Sequence, residues 1–287
     1  MIAVLGTGLL GSGFVRAALG RGESVQVWNR TAARADAFAA LGAIPCPDPA
    51  TAVRGATRVH LVLTDDAAVD SVLAALALGA APGLLVVDHS TTSTAGARDR
   101  TARGPELGVR YLHAPVFMGP SNAAESTGLM LVSGARALVE AASPLLAVMT
   151  GKLVDLGERV DAAAAFKLMG NLFLMAITAG FADLLALARA MEVAPGEAAT
   201  LFQHFNPGAS VPARFQRMLE AAYDQPSWEL GMARKDAALM MGEASAAGVT
   251  LATLPAIAAR MDAVIAEGAA HLDWTVLARD FVVRPPA

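Results

Sequence analysis

The sequence predicts a doubly wound α/β domain followed by an all-helical one, and three observations carry that prediction. Short apolar runs alternate with Ala-rich helical stretches through the first half. A glycine-rich turn lies between the first run and the first helical stretch, and strand-like runs cease after about residue 158. Strand–helix alternation implies parallel strands joined by crossover helices, because parallel neighbours cannot be closed by a tight hairpin.

The β candidates are IAVLG (2–6), SVQVWN (24–29), RVHLVLT (58–64), GLLVVDHS (83–90) and VRYLHAPV (109–116), each bounded by Gly, Asp or Asn. LGSGFVRAALGRG (10–22) and TAARADAFAALGA (31–43) carry helical spacing between them. From Arg159 onward the chain reads as long Ala/Leu/Met-rich helices. They are interrupted at VAPGE (193–197), HFNPGASVP (204–212), YDQPSW (223–228) and TLPA (253–256). The first of them, 160–191, would be about 45 Å long at ~1.5 Å per residue. So long and apolar a helix must be covered on most sides, so it is expected to link the domains and pack against a partner subunit. The expected division is 1–158 and 159–287, with a homodimer or higher homo-oligomer formed through the helical part.

Composition narrows the function. The net charge is −4, 17% of residues are charged and no Lys/Arg block occurs, which argues against nucleic-acid binding. A single cysteine, Cys46, excludes an internal disulfide and fits a reducing cytoplasm. One Cys and five scattered His build no zinc cluster, and no metal is expected. No basic n-region precedes the first apolar run, so a signal peptide is not expected. The uncharged run 168–182 falls short of the ~18–20 residues a membrane span needs and contains Asn171, so a soluble, cytoplasmic protein is expected.

Gly6, Gly8 and Gly11 stand in G-x-G-x-x-G spacing directly after IAVL and directly before a helical run. That context gives the spacing a physical meaning. Gly6 permits a tight turn, Gly8 lets backbone approach a pyrophosphate, and Gly11 lets the helix sit close to the strand. The N–H groups of Leu9, Leu10 and Gly11 at the helix start then face the phosphates. The plain alternative is a strand–turn–helix with incidental glycines. A Rossmann domain binding a dinucleotide is the reading adopted.

The end of the second strand bears on which dinucleotide. An NAD site usually has an acid there for the ribose 2′-hydroxyl. This chain has Asn29, followed by Arg30 and Thr31. Asn29 does not repel a 2′-phosphate, and Arg30 can bond to it and stack on adenine, unless it is simply a surface arginine. NADP is expected, with NAD less favoured.

A dinucleotide that moves hydride to or from a carbon–oxygen bond needs a proton donor beside it, and one lysine has the surroundings for that. Lys167 lies among Phe166, Leu168 and Met169, where a free ammonium is costly and a lowered pKa is expected. Asn171 lies one helical turn on, on the same face. A snorkelling surface lysine is the alternative.

Beyond the glycines, ordered segments along essentially the whole chain resemble the β-hydroxyacid dehydrogenase family. That family includes 3-hydroxyisobutyrate dehydrogenases and glyoxylate/succinic semialdehyde and tartronate semialdehyde reductases. VLTDD (62–66) resembles the loop over the nicotinamide, implying cofactor contacts at Leu63, Thr64 and Asp65. VDHSTTS (87–93) resembles the D-x-S-T segment, implying a substrate contact at Ser90 and a cofactor contact at Thr91. HAPVFMG (113–119) stands where the family has D-A-P-V-S-G-G around the substrate. GERVDAAAAFKLMGN (157–171) resembles the segment ending in K-x-x-N-N, which implies that Lys167 and Asn171 are catalytic. YDQPSWELGMARKDAAL (223–239) resembles the late K-D segment, implying a cofactor contact at Lys235 and a substrate-side aromatic at Trp228.

Phe117 and Met118 replace the serine and first glycine of D-A-P-V-S-G-G, leaving Gly119 to hold a carboxylate. The resemblance thus implies an NADP-dependent interconversion of a small hydroxyacid with its semialdehyde or oxoacid, beside a tighter, more apolar pocket. Imine reductases share the architecture but usually lack the lysine, and an inactive NADP-binding module is a third possibility.

Overall fold

In the computed structural model, which describes residues 1–282, all five apolar runs contain strands. Six strands form one sheet: β1 (Ile2–Leu5), β2 (Val25–Trp28), β3 (Ile44–Pro45), β4 (Arg58–Leu61), β5 (Leu84–Asp88) and β6 (Val109–His113). Their order is β3-β2-β1-β4-β5-β6 and every pairing is parallel. A second sheet comprises β7 (Val116–Phe117), β8 (Leu129–Val132) and β9 (Lys152–Asp155), with β7 antiparallel and β9 parallel to β8. β3, β8 and β9 lay outside the sequence expectation. β3 has only two residues, and a four-residue apolar run such as LMLV cannot be told from buried helix by periodicity.

Alternation along the strands explains the layers. Ala3, Leu5, Val59, Leu61 and Val86 pack into one core cluster. The residues between them face other clusters, Ile2 and Val4 with Val15 and Phe38, and Val87 with Phe14 and Met130. Crossovers run through α1 (Leu9–Gly20), α2 (Ala32–Asp36), α3 (Pro49–Val53), α4 (Asp66–Ala77) and α5 (Thr94–Arg103), with α6 (Pro120–Glu125) and α7 (Arg136–Ala147) following. The helix expected over 31–43 is corrected: α2 stops at Asp36, and a 3-10 turn at Ala39–Leu41 ends on left-handed Gly42.

The later helices are α8 (Ala162–Ala190), α9 (Pro195–His204), α10 (Val211–Glu220), α11 (Leu230–Ala246) and α12 (Leu254–Ala266). Every Pro-containing break predicted from sequence falls at or just before a helix start. The chain divides into two compact units, Met1–Leu172 and Phe173 onward, so the division falls inside α8 and later than residue 158. Within the second unit, Leu230, Ala237, Met261, Val264 and Val276 form the core. Asp183 there accepts the N–H groups of Ala252, Thr253 and Leu254. Burial opposes its charge, but the Thr253 hydroxyl and these N–H groups hold its pKa at about 2.

α8 has 29 residues, about 44 Å at ~1.5 Å per residue. The expectation that it is covered on most sides is not met among the described residues: Leu172, Phe173, Leu174 and Met175 are all exposed. Four successive residues point to all sides of a helix, so this stretch exposes apolar surface around its circumference. By length and composition α8 could cross a bilayer. The charged Lys167 and Asp183, however, confine its uncharged run to 168–182, shorter than the ~20 residues a span needs.

Candidate functional site

The strand order reverses between β1 and β4, and in open parallel sheets the crevice beyond the carboxyl ends of such strands is the ligand position. The glycine turn follows β1 there. Gly6 has φ +104°, and a Cβ on it would collide with the Val62 carbonyl oxygen at the end of β4. A Cβ on Gly11 would lie 3.0 Å from the Gly6 carbonyl carbon. Gly13, not singled out from sequence, is equally constrained: its Cβ would lie 2.6 Å from Ala123 Cβ in α6, a contact invisible to local spacing. Gly8 differs, since nothing lies within 4 Å of its would-be Cβ.

Gly8 is also the N-cap of α1 and provides no side-chain cap, so the N–H groups of Leu9, Leu10 and Gly11 have no intrahelical acceptor. The Thr7 hydroxyl is buried without a hydrogen-bond partner among the described residues. Open space over Gly8, uncapped N–H groups and an orphaned hydroxyl fit the pyrophosphate of a dinucleotide.

At the end of β2, Asn29 acts as a strut. Its Oδ1 accepts the Thr7 N–H at 3.1 Å and its Nδ2 donates to the Thr31 carbonyl at 3.1 Å. Arg30 and Thr31 are exposed beside it, as is Arg34, which sequence reasoning missed. Neither arginine has an ion-pair partner among the described residues. Two cations and a hydroxyl with no acid at position 29 can receive a phosphate on the adenine ribose.

The loops after β4 and β5 are tied together. Leu63 N–H donates to Ser90 Oγ at 2.9 Å, and Ser90 N–H donates to Asp88 Oδ1 at 2.9 Å. Asp65 caps α4 through the Ala68 N–H and accepts the Thr64 hydroxyl at 2.9 Å. Those bonds, the Ala68 N–H foremost, hold its carboxyl below the usual range. Ser90 is buried, whereas Thr91 and Thr64 are exposed. Ser90, Asp65 and Asn29 are therefore all engaged in holding the loops.

Beneath the loops runs a buried polar network that the sequence did not reveal. Tyr111 Oη donates to Asp88 Oδ2 at 2.6 Å and accepts from Arg100 Nε at 3.1 Å. Arg100, fully buried, donates to Asp66 Oδ1 at 2.7 Å, and Asp66 Oδ2 accepts the Ser93 N–H. Alongside it, Arg58 Nε donates to His60 Nε2, which assigns the remaining protons. His60 Nδ1 then donates to His89 Nε2 at 2.9 Å, and His89 Nδ1 donates to the Ala114 carbonyl at 2.7 Å. Burial keeps both rings neutral, pulling His89 down to about 4.

Lys167 projects from the first turns of α8 and is only 9% exposed. Its Nζ donates to Asn171 Oδ1 at 3.0 Å and stands 4.2 Å from the centre of the Phe117 ring. Burial pushes its pKa below the ordinary lysine value. Met118 packs against the core cluster around Met130, close over Gly128. The Gly119 N–H, expected to hold a carboxylate, instead donates to Asn122 Oδ1 at 2.9 Å within its own helix start. Trp228 and Lys235 belong to the second unit. There Trp228 packs on Trp274 at 5.3 Å, and Lys235 is exposed with its Nζ 2.8 Å from Asp236.

Comparison with known proteins agrees with this geometry. Residues 1–157 match the family model described as the NAD-binding domain of 6-phosphogluconate dehydrogenase. The probable 3-hydroxyisobutyrate dehydrogenase of Mycobacterium tuberculosis is 27% identical over 295 residues, covering 100% of this chain and 99% of that protein. The chloroplastic glyoxylate/succinic semialdehyde reductase 2 of Arabidopsis thaliana is 29% identical over 197 residues, which are 68% of this chain and 55% of the relative. Among solved structures, an imine reductase from Myxococcus stipitatus in complex with NADP+ is similar in fold, with a TM-score of 0.91 at 22% identity. That match covers 97% of this chain and 99% of the other.

The contrast between two glycines yields a test. Gly8→Ala should cost at most about 1 kcal/mol of stability, the scale of a lost N-cap, while weakening nicotinamide dinucleotide binding about tenfold or more. Gly6→Ala should instead lower the melting temperature first, because of its φ and the Val62 carbonyl. Thermal unfolding and fluorescence titration of each variant separate the two outcomes, and unchanged affinity in Gly8→Ala would remove the phosphate assignment.

Proposed function

The chain belongs to the β-hydroxyacid dehydrogenase family of NAD(P)-binding oxidoreductases, and on that premise we propose that it is an NADP-dependent reductase of small carbonyl compounds that uses Lys167 as its general acid. The substrate class is the semialdehyde or oxoacid of a small hydroxyacid, as the names of its relatives suggest. The observation carrying this reading is the hydrogen bond of 3.0 Å from the buried Lys167 to Asn171.

A dinucleotide whose pyrophosphate is held at the glycine turn would supply the hydride, or accept it in the reverse direction. The Lys167 ammonium spends one N–H on Asn171 Oδ1, which aims the amine and leaves two donors for a carbonyl oxygen. Burial lowers the lysine pKa, so the same group can donate a proton in reduction and take one back in oxidation. Asn29 in place of an acid, with Arg30, Thr31 and Arg34 exposed beside it, supports NADP over NAD.

A second reading, reduction of an apolar cyclic imine, is favoured by one observation: the carboxylate-holding positions are lost. Phe117 offers no hydroxyl and the Gly119 N–H is already bonded. The retained lysine favours the carbonyl.

The bare stretch of α8 supports a homodimer in which a second copy covers Leu172–Met175, since a patch so apolar is seldom left to water. The lone Cys46 supports a cytoplasmic setting, which fractionation of the source cells checks.

Four measurements test these readings. Lys167→Ala should lower kcat by about 10²–10⁴ with NADPH affinity unchanged within about twofold. Wild-type turnover is to be assayed on semialdehydes, glyoxylate and cyclic imines: imine turnover alone selects the second reading, and NADPH binding without any turnover selects a binding module. Arg30→Ala should weaken NADPH about tenfold and NADH hardly at all, and equal losses would remove the 2′-phosphate contact. Sedimentation equilibrium should return twice the 29.4 kDa chain mass, with Leu172→Asp shifting it toward the monomer; a wild-type monomer would refute the dimer.

A further inference from the structure

We propose that Phe117 is the positioning residue of Lys167, its ring face holding the ammonium in place beside Asn171 and favouring the charged form. The proposal rests on the general-acid reading of Lys167. Phe117 touches the amine from the side opposite in chemistry to Asn171, a π face against an amide oxygen. The 4.2 Å between Nζ and the ring centre lies well inside the ~6 Å reach of a cation–π contact.

The ring is seated rather than loosely packed. Its backbone pairs with Leu129 of β8, and the ring rests against Gly170, where a Cβ would lie 2.7 Å from Phe117 Cε1. Lys167, Gly170 and Asn171 share one helix face, at i, i+3 and i+4. Gly170 thus supplies the seat, Lys167 the cation and Asn171 the second contact. A larger residue at 170 would expel the ring.

No carboxylate pairs with Lys167 among the described residues, and burial lowers its pKa. Its partners are thus both neutral. A carboxylate would fix the proton on the amine and quench the positive charge. A ring and an amide stabilise the ammonium while leaving that charge to polarise a substrate oxygen. Where the family resemblance places a hydroxyl for a substrate carboxylate, this chain has an apolar wall that also keeps hold of the amine. A carbonyl substrate therefore presents an uncharged flank to Phe117.

The chain has three lysines, Lys152, Lys167 and Lys235, so NMR titration of lysine labelled at Cε resolves Lys167 with two internal controls. Phe117→Leu keeps the apolar bulk and removes the π face. Replacement of Phe117 by a ring-fluorinated phenylalanine keeps the shape and weakens the π face, which covers the case that the leucine variant does not fold. In either variant the Lys167 midpoint should fall by about 0.5–1 pH unit, the scale of a cation–π contact, with Lys152 and Lys235 unmoved. The alkaline limb of kcat in carbonyl reduction should fall with it, because less ammonium survives at high pH. A midpoint that stays or rises in the fluorinated protein overturns the proposal. A midpoint that falls while the kcat limb stays supports the ring's hold on the amine and overturns the general-acid reading instead.

Discussion

The site depends on one steric constraint: the turn after β1 and the end of β4 occupy nearly the same space. Only a residue without a side chain, in a left-handed conformation, lets the Gly6 backbone pass the Val62 carbonyl. That approach brings two strands together where the sheet order reverses, and the crevice follows from it. Gly11 repeats the constraint one step later, drawing α1 onto the turn, so α1 starts with its N–H groups pointing into the crevice. Asn29 then ties the turn to β2 through the Thr7 N–H. The Thr7 hydroxyl, without a partner among the described residues, and the uncapped helix start are costly in a free protein, and such costs persist where a ligand relieves them.

The loops facing this turn are held from beneath. Buried charge is tolerated only when every polar atom finds a partner, and Asp88, Tyr111, Arg100 and Asp66 meet that condition in sequence. The neutral pair His60 and His89 carries a one-way chain of donors from Arg58 to the Ala114 carbonyl, just before β7. Segments 88–93 and 113–117 are thereby positioned by strands and buried bonds, which gives loop residues the precision of a rigid scaffold.

What was legible in the sequence follows the range of the forces involved. The strands of the large sheet announced themselves through local apolar runs between turn residues, and the helix starts of the second unit through proline. The glycine turn was readable because its meaning lies within a dozen residues. Asn29 as a strut, with a partner 22 positions away, was not. Nor was Asp183, whose oxygens accept from backbone 69 to 71 positions on. The small sheet escaped because LMLV and KLVD carry no period of their own and become strands only by pairing. Phe117 stood out as a departure, but its contact with Gly170 and Lys167 appears only once α8 is folded.

Arg100 and Lys167, two of the buried cations, show how differently a protein can keep a positive charge away from water. Arg100 lies against Asp66 and Asp70 and donates to Tyr111, so charged and hydrogen-bonded partners surround it and it never gives up a proton. It serves as a fixed strut. Lys167 has an amide oxygen and, in our proposal, an aromatic face, neither of which carries a net charge. Burial lowers its pKa, and in our proposal the two neutral contacts favour the ammonium without locking the proton on it. A strut needs counter-ions, whereas a group that must release a proton and recover it needs their absence. The choice of partners, more than the choice of lysine, is what separates a structural cation from one able to do acid–base work.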